Sequence, residues 1–112
     1  MAKEADIVKA IRRAIEAYGG YCQKNHGDGL SSGRPDIEAC VDGHFVAIEV
    51  KMPGKKATDI QTHILDKIRS AGGWAVVLDD VIKLRAGLST FPLTCRACFA
   101  PLKPPFCQCK TS

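Results

Sequence analysis

Two groups of residues in this chain could do chemistry. Asp36, Glu49 and Lys51 lie in two apolar runs, Asp36 to Val41 and His44 to Lys51, joined by Asp42-Gly43. An Asp-Gly pair between such runs signals a β-hairpin. Its two-residue loop sets Val41 opposite His44 and Asp36 opposite Glu49, unless a bulge shifts the register. Directly opposed side chains have Cβ atoms about 4.5–5.5 Å apart, and like charges placed there repel. A hard divalent cation such as magnesium, which prefers carboxylates, water and phosphate oxygens, would offset that repulsion. Lys51 follows two residues later on the same face, within reach of a phosphate or an attacking water. Together these are the parts of metal-assisted phosphodiester hydrolysis. The alternative is an exposed, charged sheet face on which Lys51 is an ordinary ion-pair partner. The alignment of all three residues behind Gly33-Arg34-Pro35 favours the site.

The second group is Cys95, Cys98, Cys107 and Cys109, crowded into the last 18 residues, whereas Cys22 and Cys40 stand alone. Four thiolates suit a closed tetrahedral zinc site, which folds a segment too short to have its own core. Disulfides or a redox role are the alternatives. The N-terminal Met-Ala-Lys-Glu-Ala-Asp carries acids without an apolar run behind it, so no export signal is expected and metal comes before disulfides.

These residues need elements to position them. Ile7, Ile11 and Ile15 recur every four residues and predict an amphipathic helix over 3–18, stopped by Gly19-Gly20. Residues 22–35 have loop composition. In the hairpin, Ile37, Ala39, Val41, Val46, Ile48 and Val50 form a core face. Asp36, Glu38, Cys40, Phe45, Ala47, Glu49 and Lys51 form the other. After a Lys/Gly-rich turn, Thr58-Asp59-Ile60-Gln61 opens a second helix whose apolar face is Ile60, Ile64, Leu65 and Ile68. Trp74 to Leu78 reads as a buried strand, parallel to the second hairpin strand across the helical crossover. Val81 to Leu84 reads as a further short strand. The expected architecture is α/β, a mixed sheet flanked by helices over 1–91, followed by a four-cysteine zinc module over 92–112.

Length and composition agree with one soluble domain and an appendage. The chain has 112 residues, of which 46% are hydrophobic and 25% charged, too apolar for a wholly disordered chain. Its longest strongly apolar stretch, Trp74 to Leu78, is far short of the roughly 20 residues a membrane helix needs. A cytoplasmic protein without a membrane partner is expected. Charge is uneven. The net charge is +4, yet residues 81–112 hold Lys83, Arg85, Arg96, Lys103 and Lys110 and no acid. A basic third of this kind suits a polyanion, nucleic acid first, although a few surface lysines also serve solubility alone.

Gly33-Arg34-Pro35-Asp36, then Glu49-Val50-Lys51, resembles the PD-(D/E)XK nuclease signature. Glu4 on the first helix, Gly27 and Gly29 in the loop, Thr58 with Gln61, and Gly72-Gly73 extend the resemblance to the virus-type replication-repair nuclease (VRR-Nuc) branch, over roughly residues 3–84. The resemblance implies a restriction-endonuclease-like fold. Asp36, Glu49 and the Val50 carbonyl would hold magnesium or manganese, with Glu4 joining through water. Lys51 would orient the water or stabilise the phosphate, and Gln61 would support the site. Arg34, Lys55 and Lys56 are expected to meet the nucleic acid. Glu4 also has an ordinary use as a first-turn acid, and Gln61 as half of a capping box with Thr58. Glu38 shares the face one pair further from its open end. His44 sits at the turn, His26 and His63 have no evident partner, and all three read as structural or solvated.

Free-standing members of this family act as dimers on branched DNA such as Holliday junctions, so the resemblance implies a DNA endonuclease, phage or prophage encoded and working in the host cytoplasm. A homodimer also suits a small chain with one site that must cut two strands. The alternatives are a nuclease for linear duplex DNA in restriction or recombination, and an inert zinc-containing DNA-binding adaptor. The family core does not require the cysteine tail, whose purpose the resemblance leaves open.

Overall fold

The computed structural model describes residues 3–25, 33–103 and 106–109. Gly27, Gly29 and His26 lie outside them. The chain runs α1 (Glu4–Tyr18), β1 (Tyr21–Lys24), β2 (Ile37–Val41), β3 (His44–Val50), α2 (Asp59–Ser70), β4 (Trp74–Leu78) and α3 (Val81–Leu88). The sheet order is β1-β2-β3-β4, antiparallel except for the parallel pair β3 and β4. Among the described residues no helix is long and apolar enough to cross a membrane.

The hairpin has the expected register. Val41 pairs with His44 and Ile37 with Ile48, with no bulge between them. Asp42 (φ 50°) and Gly43 (φ 79°) both take left-handed backbone angles, which the tight turn between twisted strands requires and which Asp and Gly tolerate. Alternation then sends Ile37, Ala39, Val41, Val46, Ile48 and Val50 into one core, beneath α1 and α3. The opposite face is covered only in part. There Ala47 and Ala75 meet Leu65 and the partly buried Ile68 of α2. Ile60, expected on the buried face of α2, is 53% exposed.

Two expectations are corrected. Val81 to Leu84 is not a strand but the first half of α3. Asp80 caps it by accepting the Lys83 N–H at 3.0 Å. Leu84 and Leu88, four apart, turn inward while Ile82 stays 72% exposed, a helical pattern that a four-residue apolar window cannot reveal. The segment read wholly as loop from residue 22 begins instead with β1, a strand in which Cys22 alone turns inward. So short an edge strand owes its form to pairing with β2 rather than to its own composition.

Residues after Phe91 pack onto the same core. Phe91 and the fully buried Phe99 join Leu84 and Leu88 in the main cluster. Gly87 makes room for them, since a Cβ there would run into the Phe99 carbonyl and ring. On the edge strand β4, the Ala75 N–H donates to the Arg96 carbonyl at 3.1 Å. The Trp74 indole donates to the Thr94 carbonyl at 2.9 Å.

Candidate functional site

The open end of the hairpin carries the carboxylates. Asn25, just past β1, donates its backbone N–H to the Asp36 carbonyl at 2.8 Å and its side-chain amide to the Pro35 carbonyl at 2.6 Å. Asp36 in turn accepts the Val50 N–H through Oδ2 at 2.8 Å. The first carboxylate is thereby tied to the strand that bears the second.

Glu49 is only 3% exposed. Its Oε2 accepts from Gln61 Nε2 at 3.1 Å and lies 3.6 Å from Lys51 Nζ. Its Oε1 is buried with no hydrogen-bond partner among the described residues. A carboxylate oxygen in that position keeps its desolvation cost uncompensated. Burial and then the Asp36 charge push Glu49 up to about 7, against the opposing pull of Lys51. An unpaired buried oxygen, a second carboxylate beside it and no soft ligand make a donor set suited to a hard divalent cation. An ammonium next to that set can meet negative charge developing on a phosphate.

Gln61 makes two side-chain contacts at once. Its Oε1 accepts the Thr58 N–H at 2.9 Å while Thr58 Oγ1 accepts the Gln61 N–H at 3.2 Å, closing a capping box. The same amide reaches Glu49 from its nitrogen. Asp36, Glu49, Lys51 and Gln61 therefore come together, with Val50 between Glu49 and Lys51.

The other expected residues lie apart. Glu4 is exposed on the first turn of α1, and no hydrogen bond or ion pair among the described residues links it to the carboxylates. Arg34 pairs with Glu38 at 3.1 Å, and Glu38 also accepts from Asn25 at 3.0 Å. Lys55 and Lys56 are exposed in the turn after β3. His44 packs edge-on to Trp74 and Phe91, with ring centroids 5.0 and 5.6 Å away. Sequence reasoning missed Asn25, whose only signal is an amide in a stretch of loop composition.

The four tail cysteines meet as expected. Their sulfurs all lie within 4.8 Å of one another, with Cys98 and Cys107 at 3.7 Å, and none is in a disulfide. Tetrahedral zinc with Zn–S bonds near 2.3 Å spaces its sulfurs about 3.8 Å apart, so the cluster fits that ion. Burial raises the Cys95 thiol, but hydrogen bonds from the Ala97 and Cys98 backbone and from the Cys107 and Cys98 thiols together bring it down to about 7. Burial pushes Cys98 and Cys109 upward. A metal would draw all four into the thiolate form.

No protein-family model and no curated protein matches the chain. Among solved structures, one described as a VRR_NUC domain matches with a TM-score of 0.69 and 24% identity. The match covers 81% of this chain and 99% of that one. The chain thus has the fold of a VRR_NUC domain, with a cysteine cluster added near its C-terminus that could bind zinc.

Proposed function

We propose that this protein is a divalent-metal-dependent endonuclease that hydrolyses DNA phosphodiester bonds at Asp36, Glu49 and Lys51. The observation that carries the reading is the buried, unpaired Oε1 of Glu49 beside Asp36 and Lys51, in a fold shared with a VRR_NUC domain. Asp36, Glu49 and the Val50 carbonyl would hold magnesium or manganese, which would supply Lewis acidity and lower the pKa of a water. Gln61 fixes the Glu49 carboxylate. Lys51 holds its ammonium where charge builds on the scissile phosphate. Glu4 would join the coordination shell through water, and Arg34, Lys55 and Lys56 would take the DNA backbone.

The preferred substrate in this reading is branched DNA, cut by a homodimer in the cytoplasm of a bacterial host. Residues 92–112 act as a zinc-closed clip on the nuclease domain of residues 1–91. The burial of Phe99 and the bond from Ala75 to Arg96 support that role.

A cleavage assay with magnesium or manganese tests the reading, comparing a four-way junction with linear duplex and single strands. Paired, symmetric cuts on the junction, abolished in Glu49→Ala, are expected. Cutting of linear duplex alone would overturn the branched preference. Binding without cutting of any substrate would overturn the enzyme itself.

A further inference from the structure

Between α3, β4 and the cysteine cluster is a cleft of about 550 Å³ that lies apart from the carboxylates and has Cys98 and Cys109 in its wall. Val77, Lys83, Ala86, Pro101, Phe106 and Gln108 are among the residues that line it. Volumes of roughly 300–1,000 Å³ are typical of small-ligand sites.

Its position connects it to the catalytic face. Val77 is the β4 partner of Glu49 in the parallel register, so both side chains leave the sheet on the same side. The cleft therefore begins one strand away from the carboxylates. Val77 is 38% exposed, although its strand neighbours Val76 and Leu78 are buried.

Its chemistry selects the occupant. A groove for the phosphate backbone would be lined with unpaired cations, but here Lys83 is shared with Asp79 at 2.9 Å. Aliphatic walls, the 60% exposed ring of Phe106 and the amide of Gln108 remain. They offer a stacking surface and an edge that can exchange hydrogen bonds, which is what a splayed-out nucleobase needs. The segment that builds most of the cleft, residues 81–112, contains basic side chains and no acid, with Arg96 and Lys103 exposed and Asp79 the neighbouring acid paired with Lys83, so the segment's charge favours a polyanion.

We propose that this cleft binds an unpaired nucleobase of the DNA strand held at Asp36 and Glu49, stacked on Phe106 and edged by Gln108 and Lys83. The proposal rests on the nuclease reading and deepens it: the cut strand carries a nucleotide near the scissile bond that is unpaired or freed from its pair at the branch point.

The test is binding by the zinc-loaded full chain without magnesium or manganese. It compares a blunt duplex with the same duplex carrying a short single-stranded overhang. One stacked base gives a preference of about tenfold for the overhang. Phe106→Ala should erase that preference and Phe106→Trp should retain it. In the unaltered protein, 2-aminopurine in the overhang should lose fluorescence on binding, so the test survives if Phe106→Ala fails to fold. Equal binding of both duplexes, or an overhang preference that persists in Phe106→Ala, would overturn the proposal. Glu49-dependent cutting without any overhang preference would remove the cleft alone. Overhang preference without cutting of any DNA would support the cleft and remove the nuclease reading.

Discussion

Gln61 donates to Glu49 Oε2 at 3.1 Å with one end of its amide and accepts the Thr58 N–H at 2.9 Å with the other. The start of α2 and the buried carboxylate are therefore held by a single side chain. A helix cap fixes its own residue closely, so the cap also fixes Glu49.

Gln61→Ala should lose both functions. The cap accounts for about 1 kcal/mol of stability, and a lost partner of a metal-holding group costs about 10–100-fold in activity or metal affinity. Gln61→Glu keeps an acceptor for Thr58 but cannot donate to Glu49. Its cleavage rate should fall, and above about pH 7 the added carboxyl beside Glu49 should lower its melting temperature. Unchanged cleavage in Gln61→Glu would reduce Gln61 to a cap.

Metal-free stability should depend on pH through Glu49. Its carboxyl holds a proton more tightly when folded, at about 7 against an ordinary 4.5. The folded state is therefore favoured below about 4.5 and loses that advantage as pH rises to about 7. Asp36 and Lys51, with the neutral Gln61, are the groups facing it. In Glu49→Gln the titration is gone. Denaturant unfolding from pH 5 to 8 should show the variant gaining on the unaltered protein as pH rises, by on the order of 2 kcal/mol. A difference that is constant with pH would contradict the burial of a titrating Glu49. Divalent cations must displace the same proton, so their apparent affinity should rise up to about pH 7.

Zinc removal should unfold more than the tail. Trp74 is the sole tryptophan, its indole bonds Thr94, and the Arg96 guanidinium sits 4.9 Å from its ring centroid. A strong chelator, or Cys107→Ser, should shift its emission to the red and lower the melting temperature, with one zinc ion per chain before treatment. A structural zinc site contributes directly to folding free energy. Chelation that leaves Trp74 emission unchanged would make the cysteine cluster independent of the core.

Gly87→Ala should destabilise by at least about 2 kcal/mol, the range for overpacking a filled core, because the new methyl meets the Phe99 backbone and ring. It should also weaken zinc retention, as Phe99 directly follows Cys98. Equilibrium unfolding and zinc release measure the two effects. A variant as stable as the unaltered protein would place Phe99 outside the core.

Much of the fold was legible in the sequence. The hairpin register followed from Asp42-Gly43 and a period of two, because a slip by one residue would turn every apolar side chain outward. The helix α1 followed from a long run of period four, and the clustering of four cysteines from their spacing in a segment too short for its own core. The carboxylates came from the same register arithmetic.

Tertiary structure decided what short segments do and which neighbours share an atom. Val81 to Leu84 has no preference strong enough to choose between strand and helix. The cap at Asp80 and the docking of Leu84 and Leu88 chose helix. Tyr21–Lys24 became a strand because β2 offered it partners. The unpaired oxygen of Glu49, the double use of Gln61 and the entry of Phe99 into the main core are likewise absent from any local pattern. Propensity and periodicity are sums over neighbouring residues in the chain. Burial and hydrogen-bond satisfaction depend on residues brought from far along it, and they exist only once the chain has closed.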